Sequence, residues 1–480
     1  MSLESKAVRG VPWTIVSYAA NKVITVGTTV VLARLLVPAD FGLFALALLA
    51  TNGLSMFNDL GLGGTLVLRQ DLDRRAQGTV LTVMMATAAT LAVVLAVCSP
   101  LIARAFDEPR LEDILLALAP IVLLGGANWF HEALLQRELE FRRRFTALMT
   151  QSVVYAAVAI SLGAFVDAGV WSLVGGQLAG VLTYGVVLLI VVPYRVRPVF
   201  ERDVARLTLG TGSGFLVQRT CAFLQENADY LAVGRLLGPT QLGFYSMAYR
   251  LGELPYWAIA DPVAKVTFPG FARMLERGED VRPTFLATLR IVALVACPLS
   301  LALSAAAGPF TRVVLGDDWL PMVPVLAILG VWGVIRPVQV TLGWLLNSAG
   351  AAGLMGAISV ATLVLLVPVL FLAADRGGID AVAWVMVADM VVSCVILTLA
   401  IRKRISLHPG KVARAVAPLL PALVLGWVAG RLVADGIDPA LPALVLSGAA
   451  TLTAYAAVLG VLAPDVLRTA HAQGRATLGR

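Results

Sequence analysis

Residues 218–229 read QRTCAFLQENAD inside a long apolar run, and they bring Gln218, Arg219, Gln225, Glu226 and Asp229 together. At 100° per residue these five fall within an arc of roughly 120°, while Asn227 points away. Ionisable groups are expensive in hydrocarbon, so the stripe must face protein or water. Comparable stripes recur elsewhere. Asn21 lies with Thr14, Ser17, Thr25 and Thr28, and Lys22 sits beside them. Asn52 and Asp59 are seven apart and share a face. Tyr245, Tyr249, Glu253 and Tyr256 form one stripe, with Arg250, Trp257, Asp261 and Lys265 adjoining it. Arg336 faces with Gln339, next to Pro337, which loosens its helix.

Aromatic rings interleaved with cations and amides suit sugars and phosphates. Rings stack on sugar faces, and guanidinium groups clamp phosphate oxygens. For a single Asn or Thr the plainer role is hydrogen bonding between packed helices. So many ionisable groups together favour a hydrated cavity instead. By helical spacing Glu253 is within reach of Arg250, and Asp261 of Lys265. The charges of the second half do not all pair, and surplus cations attract an anionic ligand. LGTGSG at 209–214 follows no strand and lacks phosphate-loop spacing. No Ser/His/Asp or Cys/His arrangement occurs. The four cysteines (Cys98, Cys221, Cys297, Cys394) lie in or beside apolar segments without metal-like spacing. No enzyme activity, metal or cofactor is therefore expected.

The elements that must position these residues are membrane helices. The chain has 480 residues, 59% of them hydrophobic and 14% charged, against about 25% charged in a soluble domain. Apolar runs recur along its whole length. About fourteen reach the roughly 20 residues needed to cross a bilayer. They are 11–36, 41–67, 78–98, 113–135, 146–166, 170–192, 207–236, 240–268, 285–306, 320–346, 354–374, 380–400, 415–434 and 440–462. The fold class expected is an all-α polytopic membrane protein. The opening MSLESKAVRGVPW lacks the pattern of a removable signal peptide.

Of the 37 Lys and Arg, twenty-four fall in loops on one side of these spans and four (Arg104, Arg110, Arg312, Arg376) on the other. The poorly basic side carries Asp107, Glu108, Asp167, Asp317, Asp318, Asp435 and Asp438 instead. Lys and Arg collect on the cytoplasmic side, so both termini are expected there. The net charge of +7 follows from this placement and calls for no nucleic-acid partner.

ARLLVPADFGLFALA (33–47) and GRLLGPTQLGFYSMA (234–248) match at six of fifteen positions, including Pro38/Pro239 and Gly42/Gly243. Each forms the outer turn between two spans, and the 201-residue offset contains six spans. An even number implies two halves of the same topology, an arrangement found in transporters with a substrate site between the halves. Arg34 and Arg235 lie near span ends, where snorkelling or capping of carbonyls is expected.

The N-terminal run RGVPWTIVSYAANKVITVGTTVVLARLLVPADFGLFALALLATNGLSMFNDLGLGGTLVLR and the later NADYLAVGRLLGPTQLGFYSMAYRLGELP resemble polysaccharide-repeat flippases of the Wzx type, in the branch that includes the colanic-acid exporter. That family belongs to the multidrug/oligosaccharidyl-lipid/polysaccharide exporter superfamily. The resemblance implies two six-helix bundles in a V around a central cavity, here 1–206 and 207–414, with two further helices in 415–480. It implies an undecaprenyl-pyrophosphate-linked oligosaccharide as substrate, flipped from the cytoplasmic to the periplasmic leaflet of the bacterial inner membrane. Membrane lipid, H+ or Na+ as coupling ion, and a polysaccharide polymerase are the partners expected. On that reading Asn21, Lys22, Asn52 and Asp59 line the first bundle. Arg219, Arg250, Lys265 and Arg336 supply cations in the second, with Tyr245, Tyr249, Tyr256 and Trp257 near the sugars. Glu226, Asp229 and Glu253 are the coupling candidates. The alternatives are a multidrug antiporter of the same superfamily, a peptidoglycan-precursor flippase and a membrane glycosyltransferase. The cationic set disfavours the first, and the short loop around GDDW (316–319) disfavours the last.

The charge asymmetry makes a topology prediction. A reporter that works only in the cytoplasm should be active when fused after residues 140, 200 and 405, and one that works only outside should be active when fused near 107 and 437. Uniform or reversed reporter activity would overturn the orientation.

Overall fold

The computed structural model describes residues 20–58, 62–68 and 72–462, with the side chains at 65, 68, 203–219, 266 and 352 outside the description. Asp59 and the side chains of Gln218 and Arg219 therefore lie outside the described residues. No strand occurs among the described residues. Nine helices among them are long and apolar enough to cross a membrane. Their outward faces carry large apolar side chains such as Ile190 and Leu365, 73% and 71% exposed. So much exposed apolar surface requires lipid against it.

The chain forms two compact units, Met1–Gly243 and Phe244–Arg480. The first contains α1 (20–35), α2 (Pro38–Ser55), α3 (Leu62–Leu68), α4 (Arg74–Ala105), α5 (Arg110–Arg137), α6 (Phe141–Ser161), α7 (Val170–Val191) and most of α8 (Arg202–Gly252). The second contains the end of α8, then α9 (Asp261–Glu276), α10 (Arg282–Ala305), α11 (Ala307–Phe310), α12 (Val323–Ser348), α13 (Ala352–Ile405), α14 (Pro409–Val416), α15 (Leu419–Gly436) and α16 (Ala440–Leu462). At 1.5 Å per residue an unbroken α13 would be about 80 Å long, against a hydrocarbon core of about 30 Å. It breaks at Gly378, whose φ of 63° suits glycine. α8 breaks likewise at Gly238, φ 80°, just before Pro239.

Two spans expected to be continuous are not. The run 41–67 ends as helix at Ser55, turns over 56–58, and is helical again over Leu62–Leu68. Asn58 in the gap is fully buried, and its Nδ2 donates to the Val122 carbonyl of α5 at 3.1 Å. A side chain that bonds backbone elsewhere competes with continued helix. The run 240–268 is interrupted at Glu253 and bulges into a π-turn over Tyr256–Ala260 before α9 begins. Pro255 and Pro262 cause this, since each lacks an N–H and crowds the carbonyl four residues earlier. The bulge changes the phase of the helix, so stripes drawn at 100° per residue do not continue through it.

In the first unit, Leu62 and Leu66 of α3 pack with Val80, Met84 and Phe130 of α4 and α5. Glu132 joins three helices: its carboxylate accepts from Arg144 at 2.6 Å and from the Tyr184 hydroxyl at 2.9 Å. Glycine allows helices to approach elsewhere. The Gly176/Gly180 and Gly426/Gly430 spacings do mark close packing, α7 on α6 and α15 on α16. The tightest approach involves the two matched turns. A Cβ at Gly42 would overlap the carbonyl oxygen of Pro239, and one at Gly243 would overlap that of Pro38. Each matched glycine thus packs on the proline of the other turn. Arg235, expected at the outer span end, pairs with Asp107 at 2.5 Å.

Ordinary overpacking costs about 1–3 kcal/mol. Here the obstacle is backbone, which cannot rotate away. Gly42→Val and Gly243→Val should therefore each lose most of the monodisperse protein in detergent and lower its Tm. Gly27→Ala, which meets nothing within 4 Å, should leave both unchanged. Wild-type melting of Gly42→Val would show that the turn contact does not hold the fold.

Candidate functional site

The second unit gathers charged and aromatic side chains around one close backbone approach. Gly333 of α12 lies against the end of α8, where a Cβ would stand 2.8 Å from the Gly252 carbonyl oxygen. Gly252 in turn lies against Leu329. This brings Glu253, the residue at the helix interruption, beside Arg336, one turn beyond Gly333.

The Arg336 guanidinium lies 3.9 Å from the Glu253 carboxylate, with side-chain exposures of 19% and 15%. It stands 5.3 Å above the ring centroids of both Tyr256 and Trp332. Such cation–π contacts contribute about 0.5–2 kcal/mol each, more as water is excluded. Trp257 Nε1 donates to the other Glu253 oxygen at 3.1 Å. Further ring contacts follow: Tyr256 meets Trp257 at 5.0 Å, Trp332 meets Tyr249 at 5.1 Å, and Tyr249 meets Tyr245 at 6.3 Å. A partly buried cation is thus held between ring faces with a carboxylate at long ion-pair distance. That arrangement can receive an anion, and the rings can accept the apolar faces of a sugar.

Spacing alone assigned Glu253 to Arg250, whereas the structure places it with Arg336. Arg250 is exposed. Trp257, drawn on the adjoining stripe, lies four residues after Glu253, and its backbone N–H donates to the Glu253 carbonyl at 3.1 Å. The expected Asp261–Lys265 pair is present at 2.6 Å, with Asp261 buried and Lys265 exposed. Tyr245 is fully buried, Tyr256 buried and Tyr249 half-buried. Trp332 was not among the sequence candidates. Its position four residues before Arg336, on the same helical face, is the signal that could have found it.

The candidates in the first unit stand apart from one another in their surroundings. Asn21 Nδ2 donates to Ser152 Oγ at 2.5 Å, a bond from α1 to α6. Lys22 is half-buried and Asn52 exposed. Along α8, Gln225 is half-buried, Glu226 exposed and Asp229 fully buried, its Oδ1 accepting from the Tyr230 N–H at 2.9 Å. Among the described residues no group of three or more His, Cys, Asp or Glu is placed to hold a metal.

A helical, multi-pass membrane chain with a caged cation inside a span is the class these features define. Residues 31–324, more than half the chain, match the family model described as polysaccharide biosynthesis protein, and the chain belongs to that family. It is 26% identical over 400 residues to the teichuronic acid biosynthesis protein TuaB of Bacillus subtilis (strain 168), covering 82% of each chain. It is 24% identical to the lipopolysaccharide biosynthesis protein WzxC of Escherichia coli (strain K12), covering 79% of this chain and 77% of that one. The succinoglycan biosynthesis transport protein ExoT of Rhizobium meliloti (strain 1021) is 25% identical, over 80% of this chain and 78% of its own. Among solved structures, the inward closed conformation of lipid II flippase MurJ superposes with a TM-score of 0.73 at 12% identity, covering 96% of this chain and all of that one. An inward-facing multidrug resistance MATE transporter of the MOP superfamily gives 0.68 at 14% identity, covering 80% and 94%. At such identities the likeness shows a shared fold.

The long Arg336–Glu253 distance predicts weak mutual coupling. A double-mutant cycle with Arg336→Gln and Glu253→Gln, read from Tm in detergent, should give about 1 kcal/mol or less. A coupling of about 3 kcal/mol or more would mean a tightly closed pair.

Proposed function

We propose that this protein is a flippase for lipid-linked oligosaccharide, carrying undecaprenyl-pyrophosphate-linked repeat units from the cytoplasmic to the periplasmic leaflet by alternating access. The observation that carries the reading is Arg336, a guanidinium inside an apolar span that stacks on Tyr256 and Trp332, with the Glu253 carboxylate 3.9 Å away. A pyrophosphate offers more negative charge than one carboxylate and meets the guanidinium by two hydrogen bonds. It can therefore displace Glu253, while neighbouring rings receive the first sugar. Arg219 and Arg250 are proposed to complete the cationic set. Asn21, Lys22, Asn52, Asp59 and Lys265 are proposed to line the sugar path.

Family membership supports this reading. The relatives are named for three different polysaccharides, and the name of one includes transport. A function common to them resides in what such substrates share, a charged lipid carrier, rather than in one glycan. Ion coupling is part of the proposal. When pyrophosphate takes Arg336, Glu253 loses its counter-ion and becomes a natural proton acceptor; Glu226 and Asp229 are the other coupling candidates. Fourteen spans in two six-helix bundles (1–206 and 207–414), two further helices, cytoplasmic termini, an inner-membrane location and a polymerase partner complete it. Catalysis has no role in this scheme.

The test is deletion with radiolabelled sugar. Loss of a surface polysaccharide, with undecaprenyl-linked repeats accumulating on the cytoplasmic face, is expected. Complementation by Arg336→Gln should restore less than about a tenth of export, while wild-type protein restores it fully at equal membrane abundance. Unchanged glycan with raised sensitivity to cationic drugs would instead support a multidrug antiporter. Full export by Arg336→Gln would remove Arg336 from the site.

A further inference from the structure

After α7, residues 192–201 run as an extended strap across the first turns of α4. The Val199 N–H donates to the Gly78 carbonyl at 3.4 Å. Thr82 Oγ1 donates to the Val199 carbonyl at 2.9 Å, and the Glu201 N–H donates to Thr79 Oγ1 at 3.1 Å. Gly78 admits the strap, because a Cβ there would stand 2.5 Å from the Arg197 carbonyl oxygen. Tyr194 and Val196 pack inward beside Leu62, Val80 and Phe130, and the Arg74 guanidinium lies 5.2 Å above the Tyr194 ring. The alternate residues Arg195 and Arg197 are exposed, as are Arg75 and Arg202. Phe200 is 59% exposed.

Below this rim a groove of about 380 Å³ runs down the outer face of α4, lined by Thr82, Ala86, Thr87, Thr90, Leu91 and Phe200. Thr82 and Thr90 hydroxyls return hydrogen bonds to carbonyls four residues earlier, so the groove presents mainly hydrocarbon. α4 is one of the apolar helices long enough to span a bilayer. A cationic rim at the cytoplasmic end of a membrane helix, continuous with an apolar groove along that helix, has the two parts of a phospholipid site.

We propose that an anionic phospholipid of the cytoplasmic leaflet occupies this place, independently of the transport reading. Its phosphate meets Arg195, Arg197, Arg202 and Arg75, and one acyl chain lies along α4 under Phe200. The charge complementarity selects the lipid. Among the described residues the rim exposes five guanidinium groups, Arg74, Arg75, Arg195, Arg197 and Arg202, against the exposed Asp73, whose carboxylate accepts from the Ala76 N–H at 2.8 Å; Glu201 and Glu138, which accepts from the Tyr194 hydroxyl at 3.4 Å, are half-buried. Juxtamembrane cations are each favoured near anionic lipid. Because Arg195 and Arg197 belong to the strap and Arg75 to α4, bound lipid fastens the strap to α4.

The test is native mass spectrometry of the full chain with equal amounts of phosphatidylglycerol and phosphatidylcholine. Wild-type protein should retain phosphatidylglycerol over phosphatidylcholine by at least about fivefold. Combined Arg195→Gln, Arg197→Gln and Arg202→Gln should bring the ratio near one. Thr90→Trp, which fills the groove and leaves the rim intact, should reduce bound lipid of both kinds. Millimolar inorganic phosphate should leave the adducts in place. Equal retention of both lipids by wild-type protein would overturn the proposal, and so would an unchanged ratio in the triple variant or unchanged binding in Thr90→Trp. Displacement by free phosphate would reassign the rim to a soluble anion and overturn it as well.

Discussion

The approach of α12 to the end of α8 at Gly333 and Gly252 is the contact on which the candidate site depends. Lipid tails are as apolar as Leu side chains, so helices in a bilayer gain little by hiding apolar surface from one another. They hold together through close packing and hydrogen bonds. Glycine lets backbones meet, and the first side chains beyond the contact are then forced together. Those side chains are Glu253 on one helix and Arg336 on the other. Ser300 of α10 adds a bond to the Gly333 carbonyl at 3.0 Å, so a third helix fixes the position of the second.

The same physics explains the proline-induced irregularities. A polar side chain inside a span needs partners, and a regular helix offers few because its own backbone groups are already paired. The interruption at Glu253 and the π-turn over Tyr256–Ala260 change the direction of successive side chains within a short length. Tyr256 and Glu253 stand beside one guanidinium, and Trp257 bonds the Glu253 carboxylate. Pro255 and Pro262 thus position the chemistry although neither takes part in it.

Arg336 meets two ring faces and a carboxylate at long ion-pair distance. A bare cation at this depth would be very costly, and a short bidentate pair with Glu253 would leave it little capacity for another anion. Ring faces and a carboxylate at 3.9 Å lie between those limits. The first unit shows the contrast. There Glu132 holds Arg144 at 2.6 Å and accepts from Tyr184 as well, a closed network that fastens α5, α6 and α7. The two pairs use the same ions and differ in geometry.

Much of this molecule is legible in the order of its residues. Apolar length sets the helices, because a bilayer demands about 20 such residues per crossing. The matched turns at 33–47 and 234–248 also show themselves, down to the prolines and glycines that meet in space. Arg336, Glu253, Tyr256 and Trp257 are recognisable as polar or aromatic groups where hydrocarbon is expected. Their partnership is not. Spacing along an ideal helix joined Glu253 to Arg250, and it passed over Trp332. A period of 3.6 residues describes neighbours within one regular helix only. Which helix comes alongside, and where a proline shifts the phase, depends on backbones meeting at Gly252 and Gly333. The sequence by itself determined the membrane helices and the groups they carry; the tertiary structure decided which of those groups meet, since that contact joins residues about eighty positions apart.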